Sequence, residues 1–498
     1  MAKLEQETTL DPTSLPLFAP EARQQEEPAV HETAPVAPAT PEPAAAVQAF
    51  TDRSDMDWLK VSELREMAAR ELGSQLGEER THLTQGEEHE LGRSIILRLV
   101  QDEAAERAHR GESEWTRDHQ RVVAKAVFDA VFRLGRLQPL VDDDTVENII
   151  IMGSEPVWLE RTDGRLEQVA PVADSDEELI AQLQFLATRS SVNARTFSES
   201  RPSLHMRLDG GARLAATAWV TPRPSVVIRR HRLQRVALED LVDRKSLTPV
   251  AASFLRAAVK AGLTICVAGR QGAGKTTLVR ALCAEIPPHE AIGTFETEYE
   301  LHLHEQKDRH PIVHAWEARP GSGEIRPDGS QAGEFTLDEA LVDSFRFNLS
   351  RQIVGEVRGK EVMTMFKAIE SGGGSLSTTH SRDATGAIHK LITCAMESGP
   401  HVTEDYATRV LASSIDLVVF QHLETTPAGE GTFRRERWVS EILAVHPGEK
   451  SSGIATTHVF SPSPGGGPCR PGTLPQEMRH LEHWGFDLQT YLAQGGGG

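Results

Sequence analysis

The sequence predicts an α/β protein whose main α/β domain is preceded by a smaller α+β domain. From residue 250 onwards, apolar strand-like runs alternate with segments of helical periodicity, which favours a mostly parallel sheet. Between residues 112 and 232, short strand-like runs accompany two helical segments, which is typical of an α+β domain. A glycine-rich motif in the second half joins a strand-like run to a helical one and marks the candidate functional site.

Length and composition limit the class of protein. A chain of 498 residues is long for one domain, so we expect two or three folded units. Acidic residues outnumber basic ones 73 to 53, and the formal charge of −20 disfavours a general nucleic-acid binder. The four cysteines have no paired metal-type spacing, which suits a reducing compartment. No apolar run reaches the roughly 18–20 residues that span a bilayer, and the first residues do not resemble a signal peptide, so we expect a cytoplasmic protein.

The first third of the chain changes character twice. Residues 1–55 are rich in Pro, Ala and Glu with few large apolar side chains, so we expect a disordered tail. Residues 56–111 have helical periodicity and predict a helical lead-in. A firmer helix is predicted from Asp118 to Leu134, because apolar residues recur every three or four positions and Gly135 follows.

The remaining boundaries follow from changes in pattern. Strands are predicted over 147–153, 156–161, 212–220 and 224–231, with a helix over 176–190. Together with the preceding helix they form the α+β domain at 112–232, followed by a polar linker at 233–249. The main domain is predicted at 250–460, and the glycine- and proline-rich run after it begins a C-terminal extension at 461–498.

The glycine-rich motif has the spacing of a phosphate-binding P-loop. Gly269 is followed by four residues and then by Gly274-Lys275-Thr276, between an apolar run and a helical segment. In that context backbone N–H groups wrap a phosphate, the lysine reaches the β- and γ-phosphates, and the threonine hydroxyl binds Mg²⁺. The motif therefore predicts that the chain binds and hydrolyses ATP with Mg²⁺. The predicted nucleotide contacts are Gly269, Arg270, Gln271, Gly272, Ala273, Gly274, Lys275, Thr276 and Thr277.

Three later segments could supply the carboxylates and the sensor that hydrolysis needs. They are TFETEYELHL with Glu296, Glu298 and Glu300, then RQIVGEVRG with Glu356, then GGGSLSTTHS with His380. Taken singly, each has an ordinary structural explanation: an edge strand's wet face, a helix-start charge, or a structural histidine.

Their order resembles that of the type II/type IV secretion and pilus-assembly ATPases. That superfamily carries a Walker A loop, an acidic box, a Walker B ending in Gly-Glu and a histidine box, in this order. Within it the chain is most similar to CpaF-like ATPases of Tad pili. The phrases that carry this similarity are RLGRLQPLV at 133–141, PVWLERTDG at 156–164, RPSLHMRLDGGARL at 201–214 and VVIRRH at 226–231. The resemblance covers about residue 123 to the C-terminus and implies a RecA-like main domain.

The resemblance also implies roles for individual residues. It implies that Glu300 orients or deprotonates the attacking water with Glu296 close to it, and that Glu356 holds Mg²⁺ together with Thr276. It implies that His380 senses the γ-phosphate beside Lys275. The N-terminal-domain arginines that would close over the phosphates are Arg207, Arg213 and Arg229. Read without the resemblance, these arginines can also be explained as solvated residues beside strands. The acidic box departs from the family pattern, since Thr297 stands where aspartate is usual.

The function implied by the resemblance is that of a cytoplasmic motor ATPase. Such enzymes form hexameric rings and act on a platform protein of the inner membrane, with no membrane span of their own, to assemble pilin or secrete protein. Two alternatives stay open from the sequence: a nucleic-acid translocase with the same core, and a nucleotide-binding assembly factor with little hydrolysis. The direction of movement, assembly or retraction, is open as well.

Overall fold

The structure, a computed structural model, describes residues 56–79, 84–189, 196–208, 210–230, 235–319, 321, 331–371, 373–429, 432–448 and 453–495. The expected disordered tail lies outside these residues. The α-helices are α1 (Trp58–Glu79), α2 (Gln85–His109), α3 (Arg117–Phe132), α4 (Gln138–Asp142), α5 (Asp176–Arg189), α6 (Leu238–Asp243), α7 (Pro249–Lys260), α8 (Lys275–Cys283), α9 (Leu337–Ser344), α10 (Glu361–Ser371), α11 (Ala384–Met396), α12 (Glu404–Ser414) and α13 (Leu488–Ala493). In the described part of the chain, no helix combines the length and apolarity needed to cross a membrane.

The strands form two sheets. They are β1 (Val146–Met152), β2 (Val157–Arg161), β3 (Leu166–Val169), β4 (Ser203–Arg207), β5 (Arg213–Thr217), β6 (Ser225–Arg229), β7 (Ile265–Gly269), β8 (Ile292–Glu296), β9 (Val313–Glu317), β10 (Arg351–Val354), β11 (Ser375–His380), β12 (Leu417–Gly429), β13 (Thr432–Pro447), β14 (Ile454–Ser461) and β15 (Arg470–Pro471). β1 to β6 make a six-stranded sheet and β7 to β15 a nine-stranded one.

The first three helices pack into a layer with its own apolar core. Thr84 caps α2 through a capping box with Glu87, which fixes where this helix begins. The predicted helix at 118–134 is confirmed as α3, but its apolar stripe faces α1 and α2. Val127 shares a fully buried cluster with Leu64 and Ile96, so α3 packs with the helical lead-in, whereas we expected it in the α+β domain.

The six-stranded sheet is antiparallel throughout, in the order β3-β2-β1-β6-β5-β4. Alternate residues of its central strands, such as Ile149 and Ile228, are fully buried against Leu183 of α5. The short strand-like runs predicted at β1, β2, β5 and β6 are confirmed as strands. β3 and β4 were not predicted as strands, because their runs are short and largely polar.

The nine-stranded sheet is the RecA-like α/β layer. Its order is β15-β14-β13-β12-β7-β11-β10-β8-β9. The six strands from β12 to β9 in this order pair in parallel, and β13, β14 and β15 are added antiparallel at the β12 edge. Both faces of the parallel part are covered, one core containing Val267 and Ile353 and the other Cys266 and Val354. Cys266 lies fully buried in β7 as a small core residue.

Strand register brings the carboxyl ends of the parallel strands to one edge. Gly269 at the end of β7 pairs with His380 of β11 and with Gln421 of β12. Glu296, the last residue of β8, is paired with Glu317 of β9. Ligands of open α/β sheets bind outside this edge, so the topology alone assembles the predicted catalytic segments there.

Two segments pack more tightly than the sequence suggested. The expected linker at 233–249 contains α6, and Leu238, Leu241 and Leu247 are buried in the nine-stranded sheet's core. The polar composition of this segment concealed Leu238 and Leu241, which are spaced three residues apart and lie on one face of α6. The C-terminal extension is also docked, because Tyr491 is fully buried against Phe460 and donates a 2.7 Å hydrogen bond to the Val459 carbonyl.

Candidate nucleotide site

The phosphate loop leaves β7 and enters α8 in a conformation that suits an anion. Gly272 and Gly274 have φ values of 76° and 90°, a region that glycine adopts without steric cost. At Gly269, an added β-carbon would lie 2.4 Å from the Gln421 carbonyl oxygen, so only glycine allows this approach of β7 to β12. Gly274 caps α8 without a side-chain hydrogen bond, which leaves first-turn N–H groups for a phosphate.

Lys275 lies at the mouth of this loop. Its Nζ donates to the Arg270 carbonyl at 3.1 Å and is 3.1 Å from His380 Nδ1. Burial lowers the pKa of Lys275 to about 8, partly offset by the charge of Glu356. A bound triphosphate favours the charged lysine, so this side chain is placed to respond to nucleotide.

Glu300 and Glu296 have distinct environments although they are four residues apart. Thr276 Oγ1 donates to Glu300 Oε2 at 2.8 Å, so Glu300 lies directly beside the predicted Mg²⁺ ligand. Glu296 is 2% exposed, and its Oε1 accepts the N–H groups of Glu300 and Leu301 at 2.8 and 2.9 Å. Burial raises the pKa of Glu296 to about 8. Glu296 therefore holds the backbone that presents Glu300.

Gly355 provides the room that Glu296 occupies. A β-carbon on Gly355 would lie 3.1 Å from Glu296 Cγ. A side chain here would push Glu296 away from the backbone N–H groups that it accepts. Packing against Glu296 therefore explains why glycine precedes glutamate at the end of the Walker B segment.

Glu356 and His380 form a linked pair. His380 Nε2 is 3.0 Å from Glu356 Oε1, and Arg358 donates to Glu356 Oε2 at 2.6 Å. Burial acts to raise the pKa of Glu356, but the hydrogen bonds from His380 and Arg358 outweigh it and hold that pKa at about 2. His380 thus touches Lys275 through one ring nitrogen and Glu356 through the other.

The three predicted arginines stand side by side on the six-stranded sheet. Register pairs Arg207 with Arg213 and Arg213 with Arg229 on β4, β5 and β6. Arg213 Nε donates to Glu298 Oε2 at 2.6 Å, and its guanidinium also pairs with Glu300. Contacts of this sheet therefore reach the acidic box of the other one.

The outer two arginines lie on either side of that contact. Arg207 is 5.5 Å from the centre of the Tyr299 ring and 3.9 Å from Glu305. Burial lowers the pKa of Arg229, partly offset by Glu147, and Arg229 itself acts to lower the pKa of Lys275. The structure therefore brings every predicted catalytic residue to the P-loop edge, with Arg207 at its rim.

Comparison with known proteins decides the family. The profile of the type II/IV secretion system protein family matches residues 143–445. This chain belongs to that family. The chain is 30% identical over 331 residues to the type IV secretion system protein PtlH of Bordetella pertussis, covering 61% of this chain and 92% of PtlH. It is 28% identical over 319 residues to VirB11 of Brucella suis, covering 58% and 85% of the two chains.

Among solved structures, the X-ray structure of the Legionella pneumophila ATPase DotB is 18% identical, covers 65% of this chain and 82% of DotB, and gives a TM-score of 0.44. The secretion family is a family of ATPases, and this chain is an ATPase. The predicted superfamily is thereby confirmed. The closer similarity to CpaF-like enzymes stays a prediction.

The side chains of this secretion-family site also suit a magnesium–nucleotide complex. Mg²⁺ prefers hard oxygen ligands and is commonly held by one or two protein oxygens plus substrate phosphates. Thr276 and Glu356 supply a hydroxyl and a carboxylate that stays ionised at neutral pH. No group of three or more His, Cys, Asp or Glu side chains suited to a metal occurs in the described ranges.

Sequence reasoning missed two functional-site arginines. Arg358 holds Glu356, and Arg437 of β13 donates to the Gly272 carbonyl of the phosphate loop at 2.8 Å. Arg358 follows Glu356 in the GEVRG segment, so its spacing was a usable signal. Arg437 lies 165 positions from Gly272, and nothing local to its strand marks it.

Proposed function

We propose that this ATPase is a cytoplasmic motor, peripheral to the inner face of the cell membrane, that powers protein secretion or pilus assembly. Membership of the type II/IV secretion family supports the secretion role. The similarity to PtlH and VirB11, both named type IV secretion system proteins, supports it further. The acidic balance of the chain argues against the nucleic-acid translocase.

The observation that carries the proposal is the contact of Arg213 with Glu298 and Glu300. Arg213 belongs to β5 of the six-stranded sheet, whereas the two glutamates lie in the segment that follows β8 of the nine-stranded sheet. Glu298 is 85 positions from Arg213 in sequence. A guanidinium keeps its charge and grips oxygens with paired N–H donors, on carboxylates or phosphates alike. Exchange of Arg213 between glutamate and γ-phosphate would move one sheet against the other in each cycle.

Each residue at the edge has a role in this scheme. Lys275 neutralises charge at the β- and γ-phosphates, and Arg207, Arg213 and Arg229 close over them. Glu300 accepts the proton of the attacking water, and Glu296 positions Glu300 through its backbone. Thr276 and Glu356 would hold Mg²⁺, which would neutralise phosphate charge. His380 links Lys275 to Glu356 and so reports the presence of the γ-phosphate.

The motor is proposed to work as a homo-oligomer, by resemblance a hexamer, on a platform protein of the inner membrane. Neighbouring positions in the ring would pass the movement of one sheet to the next subunit. The platform would convert it into displacement of pilin, as in a Tad pilus, or of a secreted substrate.

Steady-state phosphate release by the purified full chain tests the proposal. We expect turnover with Mg²⁺ and its loss with EDTA, without stimulation by DNA, in a particle whose mass measured by light scattering corresponds to six chains. Strong DNA stimulation would favour the translocase. Nucleotide binding with no turnover above the Lys275→Ala background would leave the assembly factor.

A further inference from the structure

The β12–β13 hairpin is a structural link between the nine-stranded sheet and the six-stranded sheet. Arg435 of β13 pairs with Glu160 of β2. Near the hairpin's end, a β-carbon on Gly164 would lie 2.5 Å from the Phe433 carbonyl oxygen, so the hairpin closely approaches the β2–β3 turn. These contacts run along one side of the hairpin and end beside the phosphate loop.

Arg437 is the residue of this hairpin that reaches the loop. Its Nε donates to the Gly272 carbonyl at 2.8 Å, while its Nη2 donates to both oxygens of Glu147 on β1, at 2.9 and 3.2 Å. The side chain is three-quarters buried. One planar guanidinium therefore fixes the distance between the phosphate loop and the other sheet.

The loop side of this contact concerns a single peptide group. The carbonyl of the Gly272–Ala273 peptide accepts from Arg437, and the N–H of Ala273 donates to the Arg270 carbonyl at 3.2 Å. The peptide plane is thus held from both sides. Loss of Arg437 would release its carbonyl, and the neighbouring N–H groups that face a phosphate would lose their orientation.

The sheet side concerns the arginines. Glu147 precedes Asn148, which is paired in register with Arg229, and the charge of Glu147 stabilises the protonated form of Arg229. Glu147 therefore contacts Arg437 directly and acts electrostatically on Arg229. A shift of β1 relative to the loop would move the arginine row together with it.

We infer that Arg437 is a positioning residue of the ATPase reaction. It fixes the conformation of the phosphate loop and, through Glu147, the position of the arginine-bearing sheet relative to that loop. The inference rests on the proposed function, in which those arginines act on the phosphates. It assigns to β13 a part in hydrolysis that its distance in sequence from the P-loop conceals.

The test compares four single substitutions in the full chain: Arg437→Gln, Glu147→Gln, Arg435→Gln and Arg434→Gln. Arg434 pairs with Glu436 of its own strand and is the matched control. Arg435→Gln removes an ion pair between the sheets without touching the loop. The measurements are kcat and KM for ATP, Kd for a fluorescent nucleotide, and the thermal unfolding midpoint.

For Arg437→Gln we expect kcat to fall about 10- to 100-fold, the range of a lost charged hydrogen bond, with weaker nucleotide binding. Glu147→Gln should lower kcat with Kd kept, because the loop contact remains. The paired exchange Glu147→Arg with Arg437→Glu should restore kcat only in part, since glutamate cannot donate to the Gly272 carbonyl. Arg434→Gln should match the wild type.

Equal kcat for Arg437→Gln and Arg434→Gln, in a wild type that does hydrolyse ATP, would overturn the inference and leave the proposed function intact. So would a fall in kcat that Arg435→Gln reproduces, because the effect would then be general to contact between the sheets. If Arg437→Gln unfolds, Glu147→Gln decides alone: unchanged kcat rejects the inference. A wild type without turnover would instead reject the proposed function.

Discussion

At the scale of single residues, burial separates two glutamates that the sequence presents as alike. Glu296 is buried with a raised pKa and accepts two backbone N–H groups, whereas Glu300 contacts Thr276 and the Arg213 guanidinium. Glu296 is suited to holding the backbone around Glu300, and Glu300 is suited to exchanging its side-chain contacts for contacts with nucleotide and water. The predicted order of roles, with Glu300 as the base, therefore has a physical basis, and mutation can test it.

Lys275→Ala should abolish turnover while leaving the fold intact. Lysine supplies a charge at the β- and γ-phosphates, and its loss should lower kcat by at least ~10²-fold. The measurement is phosphate release, with circular dichroism to verify folding. Lys260→Ala, at the end of α7, is the control. Turnover near the wild-type level in folded Lys275→Ala would reject the phosphate-loop assignment.

Glu300→Gln should keep ATP binding and lower kcat by ~10²–10⁴-fold, because glutamine cannot accept the proton of water. Glu296→Gln should be much milder, since its amide oxygen still accepts the N–H groups of Glu300 and Leu301. Both variants are compared by kcat and by nucleotide Kd. A severe defect in Glu296→Gln beside an active Glu300→Gln would reverse the assignment.

The raised pKa of Glu296 predicts a pH dependence of stability. Its folded pKa of about 8 exceeds the ordinary 4.5, so the folded state binds more protons, and stability falls as pH rises between these values. The loss above pH 8 is on the order of a few kcal/mol. The unfolding midpoint of Glu296→Gln, relative to wild type, should therefore rise from pH 5 to pH 9. A constant difference would contradict the buried, neutral carboxyl.

At the scale of elements, much of the site could be predicted because parallel strands end at a common edge. β7, β8, β10 and β11 each end in or just before a predicted site residue. The apolar run of β7 was visible in the sequence, whereas the segment of β11 was interpreted as a glycine-rich turn. The short polar β4, which carries Arg207, was not visible as a strand. The α6 segment was taken for linker because charged residues separate its apolar ones. Long-range contacts such as that of Arg437 with Gly272 have no local signal.

Gly269→Ala tests the closeness of β7 and β12. The new methyl group would meet the Gln421 carbonyl oxygen, which is backbone and cannot rotate away. Overpacking of this kind costs about 1–3 kcal/mol, so the unfolding midpoint should fall. Gly465→Ala is the control, because nothing lies within 4 Å of an added β-carbon there. Equal midpoints for the two variants would show that the strands can separate without cost.

At the scale of the whole molecule, two sheets share one site. The six-stranded sheet contributes arginines, the nine-stranded sheet contributes the P-loop and carboxylates, and the β12–β13 hairpin ties them together. The ordered motifs predicted this division of labour, while the packing of the linker and of Tyr491 required the structure. A fragment cut at Val250 would lose Leu238 and Leu241 from its core, so the division is best tested in the full chain.

The measurement that tests the central claim most directly is the kcat and nucleotide Kd of Arg213→Gln, with Arg165→Gln as an exposed control in the same sheet domain. If Arg213 acts on the phosphates, kcat should fall ~10²–10³-fold with Kd little changed, and Arg165→Gln should behave as wild type. If Arg213 only occupies Glu298 and Glu300, its removal frees the catalytic carboxylate. Turnover equal to or faster than wild type would therefore contradict the two-sheet site.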